Sequence, residues 1–95
     1  RALTISDVTM WRQLSGLSGS TIGDVEVDPT GTGAAFVSVY AAPNRPTIAA
    51  GVSPALVQAN IFASAAVPAG AAVRFNIAQV ESGSPQNILL QLTMV

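Results

Sequence analysis

Three carboxylates alternate along one short run: Asp24, Glu26 and Asp28. In an extended strand that spacing puts all three on one face, about 6.5–7 Å apart. A row of hard oxygen ligands is the raw material of a Ca²⁺ site. A pair of carboxylates is the raw material of glycoside hydrolysis. The spacing imitates the start of an EF-hand loop, but Pro29 stands where that loop needs glycine. A chain of 95 residues also leaves little room for a substrate cleft. The plainer reading is a solvated strand face whose charge discourages edge pairing. A fourth is pairing across a subunit boundary to Arg12, Arg45 or Arg74.

Two glycine motifs come close to catalytic or nucleotide-binding patterns and fail on chemistry. Gly16-Leu17-Ser18-Gly19-Ser20 half-matches a nucleophile elbow, with Ser20 in place of the last glycine. An activated serine needs a base, and the chain has neither histidine nor lysine. Gly31-Thr32-Gly33 opens like a dinucleotide fingerprint, but Phe36 occupies the third glycine position and no strand–helix transition surrounds it. Both read as turns. Two neighbourhoods that join aromatic rings to arginine stand out, Trp11-Arg12 and Tyr40 with Asn44-Arg45. Such groups anchor interfaces, and an aromatic face beside Asn and Arg also stacks on sugar rings. Trp11, Arg12, Tyr40, Asn44 and Arg45 are therefore the candidate interface or glycan contacts. Phe36, Phe62 and Phe75 read as core.

The composition narrows the field further. With no Cys and no His, the usual zinc, haem, iron–sulfur and thiol chemistry is excluded. No catalytic residue, cofactor or metal ligand is assigned, and an enzyme is not expected. Four arginines make no basic stripe, so no nucleic-acid partner is expected. The longest apolar tract, residues 61–73, is broken by Ser64, Pro68 and Gly70, so no membrane span is expected. No basic start leads into an apolar stretch, so no signal peptide is expected. The first residue is Arg1 rather than Met, which points to processing or to a longer parent.

Charged residues make up only 9% of the chain against 49% hydrophobic ones; a typical share of charge is about 25%. Small domains bury only roughly 60–65% of their unfolded surface and are marginal alone. Interface cores are depleted in charge. The low charge thus predicts a surface largely buried against neighbouring subunits. The rival is an uncharged, hydroxyl-rich surface of the kind found on exported β-domains.

Period-2 alternation dominates the chain. It runs through Leu3–Ile5, Val25–Val27, Val37–Val39, Ile61–Val67, Val73–Ile77 and Ile88–Met94. The last run also carries Leu89 and Val95 on its other side, which predicts a strand covered on both faces. Residues 8–17 fit a helix and a strand equally. Ser53-Pro54 predicts one helical turn over 53–59, with Ser53 as N-cap. Asp28-Pro29-Thr30-Gly31 fits a type I turn. Pro68-Ala69-Gly70 predicts a tight hairpin, residues 82–87 join the last two strands, and Pro43-Asn44-Arg45-Pro46 is a loop. The expectation is one all-β domain over residues 1–95. It is a small antiparallel β-sandwich or jelly-roll-like barrel of about six to eight strands, with at most one short helix.

The stretch Ile61-Phe62-Ala63-Ser64-Ala65-Ala66-Val67-Pro68-Ala69-Gly70-Ala71-Ala72-Val73-Arg74-Phe75-Asn76-Ile77 resembles the small β-sandwich domains of tailed-phage fibres, head spikes and capsid decoration proteins. Similar domains occur in gene transfer agents. The resemblance implies a structural component of a virion or extracellular particle. It would be a homo-oligomer, often a trimer, in contact with other virion proteins and sometimes with a host-surface glycan. The alternative is a carbohydrate-binding or adhesin module of a secreted or cell-surface protein. The resemblance implies no catalytic residue.

Overall fold

Alternating side chains make a strand wherever one side of the run can be buried. The computed structural model describes residues 1–51, 53–83 and 85–95, and among these eight such strands form. They are β1 (Leu3–Leu14), β2 (Ser20–Asp28), β3 (Val37–Ser38), β4 (Thr47–Ala49), β5 (Ala55–Gln58), β6 (Ala66–Val67), β7 (Ala72–Gln79) and β8 (Gln86–Met94). All pairings are antiparallel, and the protein is an all-β sandwich of two four-stranded sheets.

The two sheets share one plan. In the first, β1 is central: β8 pairs along most of it from Ile5 to Leu14, while β5 and β6 divide its other edge. In the second, β2 is central: β7 pairs from Ile22 to Asp28, while β4 and β3 divide its other edge. Each of these long pairings is interrupted by one bulge: β1 carries the extra residue Ser6 between Ile5 and Asp7, and β7 carries the extra residue Ala78 opposite Ile22/Gly23. Bulges increase local twist, and at the second one Gly23 N–H bonds the carbonyl of the buried Pro46 (2.9 Å).

The core lies between β1 and β2. Ile5, Val8, Val25, Val27, Val39, Tyr40, Ala59 and Val67 form it, with Leu3, Phe62, Leu90 and Leu92 packed around. Each large aliphatic side chain buried there stabilises the fold by about 1.5–3 kcal/mol. Gly23 faces this core. A Cβ on it would sit 2.9 Å from the Met10 sulfur, so the glycine is what lets Met10 pack fully buried.

Several expectations are corrected. Of the two readings open for residues 8–17, residues 8–14 take the strand, with Val8, Met10 and Arg12 on the inward face and Thr9 and Trp11 on the outer one. Over 53–59 there is no helical turn: Ala55–Gln58 pairs with Thr9–Arg12 as β5. The short helical element is instead a 3-10 turn at Ala42–Asn44 inside the proline loop. Pro68-Ala69-Gly70 does turn tightly, with Ala71 N–H on the Pro68 carbonyl (3.1 Å). It is not a hairpin, since β6 pairs with β1 and β7 with β2; the turn carries the chain between sheets. β7 and β8 likewise belong to different sheets, and of the loop joining them Ser84 lies outside the described residues. β8 is not covered on both faces: Leu89 is 58% exposed. The Asp28–Gly31 turn closes as expected, Gly31 N–H on the Asp28 carbonyl (3.2 Å).

Candidate functional site

The acidic run sits on the outer face of β2, as its alternation requires, but it is not a solvated face. β2 is a central strand with partners on both edges, and Asp24 and Asp28 are buried. Asp24 accepts the Ser38 hydroxyl (2.6 Å) and lies 3.6 Å from the Arg45 Nε. Glu26 accepts from Arg74 Nε (2.6 Å), whose guanidinium also lies 4.1 Å from the centre of the Phe36 ring. Arg45 and Arg74 thus each meet a carboxylate of β2 within the chain.

Asp28 organises the loop that follows it. Its carboxylate accepts the Thr30 hydroxyl (2.6 Å) and the N–H groups of Thr30 (2.8 Å), Gly33 (2.7 Å), Ala34 (3.1 Å) and Ala35 (3.3 Å). The Thr30 hydroxyl, with the N–H groups of Thr30, Ala35 and Gly33, favours the charged form against burial and holds the Asp28 carboxyl well below the usual carboxylate range. Asp28 is therefore a spoke for the loop, with its lone pairs committed. Among the described residues no group of three or more His, Cys, Asp or Glu side chains is arranged to hold a metal ion.

A second charged cluster lies inside the sandwich. Arg12 points inward from β1, pairs with Glu81, and donates to the Ala49 carbonyl (3.1 Å). Glu81 also accepts Gly16 N–H (2.8 Å) and the Thr21 hydroxyl (3.0 Å). Burial pushes the Glu81 carboxyl up. Gly16, Thr21 and Arg12 together outweigh that and leave it below its ordinary value. Tyr40 is buried too, its hydroxyl donating to the Ala59 carbonyl (2.6 Å) and its ring 5.4 Å from that of Phe62. Burial, then the charges of Asp24 and Asp7, push its phenol up.

The five candidate contact residues therefore do not form one patch. Arg12 and Tyr40 lie inside, and neither presents a face to a glycan or a partner. Trp11 is half-buried on the outer face of the first sheet, directly between Leu56 and Leu89 in the cross-strand register. Asn44 is exposed on the 3-10 turn, and Arg45 reaches Asp24 on the outer face of the second sheet. Asn44 and Arg45 line a shallow cleft of about 270 Å³ with Asn60 and Ile61.

The largest anomaly is one the sequence reading missed. Among the described residues β7 and β8 are the long free edges of the two sheets, on the side joined by their connecting loop. Phe75 and Ile77 stand opposite Val25 and Gly23, on the inward face of β7, yet are 48% and 37% exposed. On β8, Met94 stands opposite Ile5 on the inward face and is 37% exposed. Val80 and Leu89 add exposed apolar surface beside this seam. Alternation marks these positions as inward-facing, but it cannot show that nothing stands over them.

Few charges lie near the seam, and Arg74, the one charged residue on β7, turns to the outer face toward Glu26. Asp24, Glu26, Asp28, Arg45 and Arg74 gather on the outer face of the second sheet, and Arg12 and Glu81 are interior. Asp7, on β1, is held by Asn60 (2.8 Å) and Thr9 (3.1 Å). From Ser82 to Val95 there is no charged side chain. Among the described residues no helix is long and apolar enough to cross a membrane. No family model matches the chain, and no curated protein or solved structure matches it.

Proposed function

We propose that this domain is a structural assembly module, a subunit of a phage-like particle such as a head spike, fibre or capsid decoration, that works by burying its β7–β8 seam against further copies of itself. The observation that carries the reading is the exposure of inward-facing Phe75 and Ile77 along an almost uncharged side of the sandwich. Apolar side chains on the core face of a sheet are normally covered, and contiguous exposed apolar surface marks interaction sites. At about 25 cal/mol per Å², a few hundred Å² of added apolar burial supplies several kcal/mol, which offsets the thin margin of a small domain. The place of action is then the virion or particle, with other virion proteins as neighbours.

The rival, a carbohydrate-binding module, retains Trp11 with Asn44 and Arg45 but loses Tyr40 and Arg12 to the interior. Sedimentation equilibrium tests the assembly reading. A mass that is a whole multiple of 9.6 kDa at micromolar concentration supports it, and a stable, folded monomer at every concentration overturns it.

A further inference from the structure

We propose that the free edge of β8 pairs antiparallel with β8 of a second copy, about a two-fold axis at Leu90. This deepens the assembly reading and rests on it. The direction of the backbone groups comes first. Thr4 and Val95 exchange both backbone hydrogen bonds (2.7 and 2.9 Å). Backbone groups alternate in direction along a regular strand, so Thr93, Gln91 and Leu89 also turn theirs toward β1, and the regular stretch ends at Asn87, whose φ is +58°. Ile88, Leu90, Leu92 and Met94 then turn theirs to the open edge.

From Ile88 onward that edge has none of the usual guards; the one irregular backbone position, Asn87 with φ +58°, lies at the start of the strand. Natural sheets protect edges with charge, proline or bulges. Residues 86–95 contain no charged residue and no proline, and the one register shift against β1 falls where β1, not β8, carries the extra residue. A copy of the same edge suits it. About an axis at Leu90, Ile88 falls opposite Leu92 of the second copy and Leu89 opposite Gln91, so no like charges meet. Hydrogen-bonded pairs form at Leu90 and at Ile88–Leu92, where the outward-turned groups lie. The pairing also sets the two exposed Phe75 and Ile77 edges against each other in the second sheet.

The size is sufficient. β8 has nine residues, about 30 Å at about 3.3 Å each, on a side about 20 Å deep for two layers with their side chains. The footprint is roughly 600 Å² per copy and roughly 1,200 Å² in total, the lower end for a stable specific interface. The resulting unit is two-fold, where the resemblance implied a trimer.

The test compares three forms of the protein by sedimentation equilibrium. Leu89 and Gln91 are both exposed on the outer face, so neither substitution disturbs the core. Leu89→Lys with Gln91→Lys places like charges opposite each other twice and raises the dissociation constant about tenfold or more. Leu89→Lys with Gln91→Glu places opposite charges there and leaves it within about threefold of the parent. The chain has no cysteine, so Leu90→Cys gives a second readout. A hydrogen-bonded pair holds its Cα atoms about 5.5 Å apart, within disulfide reach, and oxidation then yields a covalent dimer. If the parent associates but the two charge variants behave alike and Leu90→Cys does not cross-link, the β8 pairing is wrong while the assembly reading stands. If the parent is a monomer, both fall.

Discussion

Arg12 and Glu81 form an ion pair in which both side chains are closed to solvent. They join the inward face of β1 to the segment just after β7, and through Gly16 and Thr21 they gather the start of β2 and the loop before it. A buried pair costs desolvation, so its presence adds little net stability. Losing one partner is different, because the other charge is left buried. Arg12→Met is therefore expected to lower the melting temperature by roughly 10–20 °C, and adding Glu81→Leu is expected to recover most of that loss. Thermal unfolding of the two variants followed by circular dichroism decides it; a double variant no more stable than the single one would contradict the prediction.

Acid sensitivity follows from the two depressed carboxyls. Asp28 and Glu81 bind protons less readily folded than unfolded. Their contribution is complete at neutral pH and is lost as pH falls from their ordinary values, 3.8 and 4.5, toward the lower folded ones. Chemical denaturation should show stability flat above pH 5 and falling steeply below about pH 4. Asp28→Asn should flatten that fall. It should also expose the 28–35 loop to proteolysis, because its N–H groups lose the carboxylate that gathers them.

Tyr40 acts at the opposite end of the scale. Its phenol is harder to ionise folded than unfolded, so the stability it gives is complete below pH 10.0 and is lost as pH rises beyond it. Tyr40→Phe should remove this alkaline loss. At neutral pH it should cost about 1 kcal/mol, from the hydrogen bond to Ala59. Equal alkaline sensitivity in the variant would place the titrating group elsewhere.

Gly31 and Gly33 both have positive φ, +73° and +83°, but their surroundings differ. A Cβ on Gly31 would lie 2.2 Å from the Gly70 carbonyl oxygen, while none lies within 4 Å for Gly33. Gly33→Ala should cost about 1 kcal/mol, for the conformation alone. Gly31→Ala should cost at least twice as much, because backbone must shift, and urea titration of the two side by side separates the terms.

Much of the architecture could be read from local alternation, and what could not be read has definable causes. β2 and β8 follow their patterns because one face of each meets apolar neighbours, and β7 follows its own by pairing along β2, although Phe75 and Ile77 on its inward face stay exposed. β1 was ambiguous because its third inward residue in that stretch is Arg12, whose partner Glu81 lies 69 residues away. Ser53 looked like an N-cap, yet its hydroxyl accepts Ser15 N–H (2.7 Å) across the fold, and strand pairing with β1 overrides the local signal. The Pro68–Gly70 turn was visible, but not that its flanking strands belong to different sheets. For the site, residue type located Asn44 and Arg45 at the surface and misplaced Tyr40 and Arg12. The seam stayed hidden because Phe75 and Ile77 carry the pattern of core residues.

Hydrogen exchange at low and high protein concentration tests the assembly claim most directly. Burial of the seam predicts that the amides of Ile88, Leu90 and Leu92 exchange quickly in dilute solution and become protected as concentration rises, while those of Gly33–Ala35, held by Asp28, do not change. Protection along β8 that is the same at every concentration, with a mass that stays monomeric, would contradict it.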